Sequence, residues 1–240
     1  MKKRYILASI LLVFIIVFSL AESKKLNNFF IQDYYVHGVD VSHYQGEINM
    51  STLKTQNIDF VYIKATEGSK STDEKFKENW ENSQNSGLYA GAYHFFSFDS
   101  DGLTQANHYI ETVGELHGNL IPAVDVEYYA NKQSNPPSKQ ELLKQLTIFI
   151  TTVEKYYGVK PMIYSTPRFY YRYIHGAFDD YPLWIRSVNY PVHAISARQW
   201  TLWQYNDEEI LDGYTGTEKH IDKNVFHGDL KKLTTTLLVP

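Results

Sequence analysis

Short apolar runs alternate along the chain with stretches of helical spacing, a pattern typical of folds built from strands and helices in turn. The apolar runs are rich in β-branched and aromatic residues, as buried strands are. The pattern predicts strands over residues 38–42, 58–65, 88–98, 121–127, 161–165, 183–187, 200–205 and 221–226.

Helices are predicted between the first strands, over residues 50–56, 71–85, 103–116, 138–157 and 167–175. Two of them begin with the spacing of a capping box, Ser71 with Glu74 and Ser138 with Glu141. The helix that follows Ser138 places its apolar residues on one face and ends at Gly158. The last strands have little helix between them.

The order of these elements predicts an α/β fold. We expect a modified TIM-like barrel with about five β-α units, followed by three strands with few helices. An open doubly wound sheet fits the late strands less well. The Gly-x-Gly-x-x-Gly and Walker sequences of nucleotide-binding proteins are both missing from the sequence.

The first residues have the features of an export signal. Lys2, Lys3 and Arg4 precede an apolar run over residues 5–20, and Ala21 follows it. Residues 1–21 are therefore predicted to be a signal peptide cleaved after Ala21. The run approaches the length of a bilayer span, so an uncleaved membrane anchor is the alternative. Both predict an exported protein, whether periplasmic, secreted or anchored to the membrane.

The rest of the chain is predicted to be one domain, because it is long enough for one large core and no linker divides it. We expect residues 22–35 to form a flexible leader, residues 36–232 the barrel and residues 233–240 a C-terminal tail. A monomer is expected.

Composition excludes several classes of function. The 240 residues include no cysteine, which rules out disulfides and thiolate chemistry. A formal net charge of −4 argues against nucleic acid as a partner. The nine histidines show no metal-binding spacing, and we expect neither a metal nor another cofactor. The Gly-x-Ser-x-Gly sequence of serine hydrolases is also missing.

Asp125 and Glu127 are the most informative candidates for chemistry. They lie two residues apart at the end of a predicted strand, so their side chains face the same side. Buried carboxylates are unfavourable unless they are paired, solvated or used. Two carboxyl groups in unequal surroundings suit glycoside hydrolysis, in which one gives a proton and the other stabilises positive charge on the sugar. A metal site or a salt bridge would also explain the pair.

Asp40 and Asp222 are predicted to lie near this pair. Functional residues of parallel barrels occur at the C-terminal ends of strands. Asp40 lies in the first predicted strand and Asp222 opens the last one, and these two strands become neighbours if the barrel closes. All four acids would then line one mouth. Taken alone, Asp40 could simply cap the next loop.

A second group of residues near strand ends could bind a sugar, because aromatic rings offer flat apolar faces and polar edges. The alternative for the aromatic residues is core packing, and for Glu67 it is a salt bridge to Lys64 or to a loop residue. The candidates are Tyr62, Glu67, Tyr93, Phe95, Tyr164, Trp184, Trp203 and Gln204.

Seven sequence blocks, in order from about His37 to Phe226, resemble the glycoside hydrolase family 25 lysozymes of the Chalaropsis type. They are Gly-Val-Asp-Val-Ser-His-Tyr-Gln-Gly (38–46), Phe-Val-Tyr-Ile-Lys-Ala-Thr-Glu-Gly (60–68), Gly-Ala-Tyr-His-Phe (91–95), Pro-Ala-Val-Asp-Val-Glu (122–127), Leu-Trp-Ile (183–185), Trp-Gln-Tyr (203–205) and Ile-Asp-Lys-Asn (221–224). The departure from the family pattern is Arg186, where many members have a small residue.

The resemblance implies a barrel of five β-α units followed by strands, and hydrolysis of the β-1,4 bond between N-acetylmuramic acid and N-acetylglucosamine in peptidoglycan glycan strands. It implies that Glu127 is the general acid. Asp125 would be its partner, either as a nucleophile or by orienting the substrate's acetamido group. Asp40 and Asp222 would support them. The alternatives are a non-catalytic glycan-binding protein on the same fold and a chitin-directed glycosidase.

Overall fold

The computed structural model describes residues 2–22, 25–195 and 199–240. Strands in this part of the chain are β1 His37–Val41, β2 Phe60–Glu67, β3 Ser71–Thr72, β4 Tyr89–Phe95, β5 Ala123–Asp125, β6 Met162–Ser165, β7 Leu183–Arg186, β8 Leu202–Glu209 and β9 Ile221–Phe226. Helices are α1 Lys2–Glu22, α2 Lys25–Phe30, α3 Met50–Thr55, α4 Phe76–Gln84, α5 Gly102–Val113, α6 Lys139–Tyr157, α7 Pro167–Phe169 and α8 Leu230–Thr236.

A ring of strands closes into a barrel in the order β1-β9-β8-β7-β6-β5-β4-β2, with β2 pairing back to β1. Neighbours among β1, β2 and β4 to β8 run parallel, whereas β9 runs antiparallel to both β8 and β1. The start of β9 therefore lies at the same rim as the ends of the parallel strands. The predicted modified barrel is confirmed.

The predicted helix start at Ser71 is wrong. Ser71 lies in β3, where it pairs with Glu67 of β2, and α4 begins only at Phe76. The buried carboxylate of Asp73 explains the difference. It accepts hydrogen bonds from the backbone N–H of His43 at 3.0 Å and from that of Lys75 at 3.0 Å. These bonds tie the turn after β3 to the segment after β1, so tertiary contacts override the local capping signal.

The predicted helix start at Ser138 is correct, although the hydrogen bond of a capping box does not form there. Ser138 is the N-cap of α6, but its side chain makes no capping hydrogen bond. Glu141 instead accepts a hydrogen bond from Gln145 Nε2 at 2.8 Å on the helix surface.

Regular secondary structure occurs near both ends of the chain. The segment 22–35 contains α2 and a 3-10 turn, Ile31–Asp33. At the other end, Leu233, Leu237 and Val239 are buried against the barrel. Part of the predicted C-terminal tail therefore packs against the barrel.

The apolar run of the predicted signal forms α1. In the part of the chain that the structure describes, no helix is both long enough and apolar enough to cross a membrane. Signal cleavage and anchoring stay predictions. Met1, Ser23 and Lys24 of the predicted signal and leader lie outside the described residues.

Two glycines make room for aromatic side chains on β2. Phe60 and Tyr62 are fully buried, and each lies beside a glycine of a neighbouring strand, Gly38 of β1 and Gly91 of β4. A Cβ atom at Gly38 would lie 2.2 Å from the Phe60 ring, and one at Gly91 would lie 2.4 Å from the Tyr62 ring. Such distances are far below van der Waals contact, so a side chain at either position would force the neighbouring ring to move.

We expect Gly91→Ala to destabilise the fold by about 1–3 kcal/mol, because the added methyl group overpacks the site occupied by the Tyr62 ring. Urea unfolding measures this change. In a double-mutant cycle, Tyr62→Leu should remove most of the penalty of Gly91→Ala. Additive effects of the two substitutions would show that the ring is not the cause.

Candidate active site

The four predicted acids lie together at one rim of the barrel. Asp40 of β1 is the register partner of Asp222 of β9. Asp125 ends β5, and Glu127 follows two residues later with the buried Val126 between them. All four side chains line one open cavity of about 350 Å³. The structure therefore brings together the acids that were predicted to share a mouth.

Five of the eight predicted sugar-binding residues line the same cavity, namely Tyr93, Phe95, Tyr164, Trp184 and Gln204. They come from β4, β6, β7 and β8, so the wall is assembled from strands on opposite sides of the acids. Their contact with a substrate stays a prediction.

The other three lie elsewhere. Tyr62 and Trp203 are fully buried in the core, where the Tyr62 hydroxyl donates to Ile121 O and the Trp203 indole N–H donates to Ser187 O. Both therefore pack the barrel and do not face the cavity. Glu67 forms a salt bridge with Lys64 at 2.6 Å and lines a smaller neighbouring cavity of about 210 Å³. The salt-bridge alternative is confirmed for Glu67.

Two amide side chains hold Asp40 in a fixed orientation. Its Oδ2 accepts hydrogen bonds from Asn224 Nδ2 at 2.7 Å and from Gln204 Nε2 at 2.9 Å. Each amide is oriented in turn, because the Trp184 indole N–H donates to Asn224 Oδ1 and the Tyr164 hydroxyl donates to Gln204 Oε1. These N–H donors favour the ionised form of Asp40.

Asp40 and Asp222 share one proton near neutral pH. Burial raises the pKa of Asp40 to about 6, although the hydrogen bonds from Asn224 and Gln204 oppose the rise. Burial and the negative charge of Asp40 raise the pKa of Asp222 to about 9. Asp222 is therefore the protonated member at neutral pH, and its side chain hydrogen-bonds to Asp40.

Asp125 and Glu127 form a second pair of interacting carboxyl groups. Burial and then the charge of Glu127 raise the pKa of Asp125 well above its usual range. Burial raises the pKa of Glu127 to about 7, with Arg186 opposing the rise and Asp40 adding to it. Loss of one proton from this pair makes loss of the second less favourable. Asp125 Oδ1 is buried without a hydrogen-bond partner among the described residues, which leaves it available to a ligand.

Several residues at or near the site were not among the predicted site residues. Arg186 at the end of β7 forms an ion pair with Asp207 of β8 at 2.5 Å, and Asp207 lines the cavity. Glu218 and His220, which precede β9, form part of the outer wall. An arginine at a strand end beside several acids could have signalled the ion pair. The loop residues carry no such signal, because their position depends on the folded path of residues 210–220.

Metal binding is a separate question. Across residues 2–22, 25–195 and 199–240, no group of three or more histidine, aspartate or glutamate side chains is placed to hold a metal ion.

Comparisons with known proteins connect this geometry to one family. Residues 39–214 match the family described as Glycosyl hydrolases family 25. Three of the four acids lie within this match, and Asp222 lies beyond it.

Two sequence relatives cover most of the chain. The "Uncharacterized protein YegX" of Escherichia coli (strain K12) is 34% identical over 83% of this chain and 72% of its own length. "Lysozyme M1" of Streptomyces globisporus is 29% identical over 82% of this chain and 70% of its own length.

The fold is similar to that of a family 25 glycosyl hydrolase from Bacillus anthracis. The two structures superpose with a TM-score of 0.79 and 43% sequence identity, over 85% of this chain and 94% of the other.

Because Asp222 holds a proton in the folded protein, stability should depend on pH. An aspartate ionises near 3.8 without a shift, whereas the pKa of folded Asp222 is about 9. Between these values the folded protein binds one more proton than the unfolded chain, so this group lowers stability as pH rises. The free energy of unfolding of the wild type should therefore fall between pH 6 and pH 9. We expect this fall to be smaller in Asp222→Asn, by up to about 1.4 kcal/mol per pH unit.

Urea unfolding at both pH values tests this prediction. The control is Asp33→Asn, which neutralises an exposed carboxylate of the 3-10 turn. Equal pH dependence in Asp222→Asn and in the wild type would contradict a proton on Asp222.

Proposed function

The chain belongs to family 25 of the glycosyl hydrolases and is a glycoside hydrolase; we propose that it is a muramidase that acts on peptidoglycan. The bond cleaved is the β-1,4 linkage between N-acetylmuramic acid and N-acetylglucosamine. The observation that carries the proposal is the gathering of Asp40, Asp125, Glu127 and Asp222 around one open cavity. The name of the related "Lysozyme M1" supports the choice of substrate.

Glu127 is the general acid in this proposal. Its pKa of about 7 leaves a large protonated fraction near neutral pH, which a group must have to donate to the leaving glycosidic oxygen. The raised value follows from burial and from the charge of Asp40, against the opposing charge of Arg186.

Asp125 is the partner carboxylate. Burial and the charge of Glu127 raise the pKa of Asp125 in the free protein. In the transition state, positive charge develops on the sugar and favours the ionised form of Asp125. Ionised Asp125 in turn favours the proton on Glu127, because the two carboxyl groups interact. The unpartnered Oδ1 of Asp125 either attacks the sugar or holds the substrate's acetamido group while that group attacks.

Asp40 and Asp222 support these two residues. Ionised Asp40 adds negative charge close to the reacting sugar, and its two amide donors keep it oriented. Protonated Asp222 prevents a second full negative charge from forming beside Asp40.

The walls of the cavity suit a sugar chain. Tyr93 and Phe95 are half-buried aromatic residues that line the cavity, whereas Trp184, Tyr164 and Gln204 are almost fully buried beneath it. We propose that these five residues contact the glycan strand.

Export completes the proposal, because peptidoglycan lies outside the cytoplasmic membrane. We propose that residues 1–21 direct export, either as a cleaved signal or as an anchor, and that the protein acts as a monomer. The lysine and arginine residues ahead of the apolar run support this role.

Glu127→Gln should lower the rate of peptidoglycan hydrolysis by at least about 100-fold, because the amide cannot donate the proton. Asp125→Asn should be nearly as damaging, and Asp40→Asn less so. The matched control is Glu78→Gln, which neutralises a carboxylate paired with Lys75 at the start of α4, away from the cavity, and should keep activity close to wild type. Thermal unfolding of each variant checks the fold.

The same assay run on peptidoglycan and on chitin, with identification of the new reducing-end sugar, tests the bond. N-acetylmuramic acid at the new reducing end is the expected product. Cleavage of chitin instead would identify a chitin-directed enzyme, and binding of either polymer without products would identify a glycan-binding protein. Wild-type rate in Glu127→Gln would remove this residue from its role.

The pH dependence follows from the same residue. Activity should fall as pH rises through about 7, because Glu127 then loses the proton that it must donate. A pH–rate profile of kcat/KM measures this limb. Activity that is constant from pH 6 to pH 9 would contradict the assignment.

A further inference from the structure

Asn27 of α2 joins the N-terminal segment to the barrel. Its side chain is 1% exposed, and the two N–H groups of its amide nitrogen Nδ2 are shared among three carbonyl oxygens, those of Ser187 at 2.8 Å, Val188 at 2.9 Å and Tyr205 at 2.9 Å. These acceptors lie at least 160 residues away along the chain. One amide group thus connects the end of β7 to the middle of β8.

These donated hydrogen bonds explain why a polar side chain is buried at this position. Its other polar atom, Oδ1, is buried and has no hydrogen-bond partner among the described residues. A buried oxygen without a partner is unfavourable, so hydrophobic packing alone would select an apolar residue here. An apolar residue here would leave the three carbonyl oxygens without the donor that Asn27 supplies, and this explains the asparagine.

The two strands that Asn27 connects carry charged groups of the site. Ser187 directly follows Arg186, and Tyr205 lies between Gln204, which donates to Asp40, and Asp207, which pairs with Arg186. Ser187 makes two further hydrogen bonds to β8. Its N–H donates to Gln204 O, and its carbonyl oxygen accepts from the Trp203 indole N–H. Movement of the backbone at Ser187 would therefore move Arg186.

Arg186 is one of four charged or titratable groups that interact electrostatically with Glu127. The others are Asp40 of β1, Asp125 of β5 and Tyr164 of β6. Arg186 is the cation in this set, and it also acts on Asp40 and Asp222. Its position therefore affects how strongly Glu127 holds a proton.

We propose that the N-terminal segment is part of the working active site, in which Asn27 is a positioning residue that fixes the end of β7 against the middle of β8 and thereby holds Arg186, paired with Asp207, within electrostatic reach of Glu127. This inference rests on the muramidase function proposed above. It also requires that the active protein retain Asn27, which cleavage after Ala21 would do.

The experiment compares Asn27→Ala with Asn28→Ala, which changes the exposed neighbour on the same helix. If Arg186 moves away from Glu127, the Glu127 pKa rises, because Arg186 lowers it. In Asn27→Ala we expect the alkaline limb of the pH–rate profile on purified peptidoglycan to move up by about 0.5–1 pH unit. We also expect kcat to fall up to about tenfold with little change in KM. Asn28→Ala should leave the limb and kcat at wild-type values.

Arg186→Gln provides the second variant. It should move the limb in the same direction, and Asn27→Ala added to it should move the limb no further, since both act through Arg186. A limb in Asn27→Ala at the wild-type pH would overturn the proposal, even with a lower kcat, because that result indicates a purely structural role. If Asn27→Ala does not fold, an unmoved limb in Arg186→Gln overturns the proposal and a moved limb supports it.

A titration of the Glu127 carboxyl by carbon-detected NMR separates this inference from the proposed function. The NMR measurement needs no turnover, so it tests the link from Asn27 to Glu127 even if the wild type cleaves no peptidoglycan. Failure of hydrolysis with a moved Glu127 titration would reject the substrate and keep the positioning role.

Discussion

Pairing of the first strand with the last is the constraint on which the site depends. It sets Asp40 directly opposite Asp222 in a partly buried position, where two full negative charges would repel each other strongly. The structure meets this constraint by keeping a proton on Asp222 and by directing two amide donors at Asp40. Burial raises the pKa of Glu127 to about 7, and the negative charge of Asp40 adds to this rise against the opposing charge of Arg186.

Local patterns in the sequence were sufficient for the barrel and for its four acids. The alternation of strands and helices, together with closure, predicted that Asp40 and Asp222 would be neighbours, and the register confirms it. The start of α4 was predicted incorrectly, because the buried Asp73 bonds to residues that are distant in sequence and outweighs the Ser71 signal. Asn27 could not be found from its neighbours in sequence, since all three of its acceptors are far away along the chain.

The aromatic residues show where strand pattern stops being informative. Tyr62 and Tyr93 both lie in strands of the barrel, yet Tyr62 is sealed in the core and Tyr93 lines the cavity. The distance of a residue from the rim decides whether its side chain is buried in the core or lines the cavity. This distance depends on how neighbouring strands are staggered. The small residues Gly38 and Gly91 reveal the stagger only once their partners Phe60 and Tyr62 are known.

The reversed direction of β9 separates the outer wall of the cavity from its chemistry. Glu218 and His220 belong to the connection of a hairpin, and Asp222 comes two residues after His220, already inside the strand pairing. Hairpin connections accept insertions and deletions more readily than strands do. Evolution can therefore change the length and charge of this wall, and with them the glycans that can enter the cavity. The register between β9 and β1 meanwhile keeps Asp222 in place.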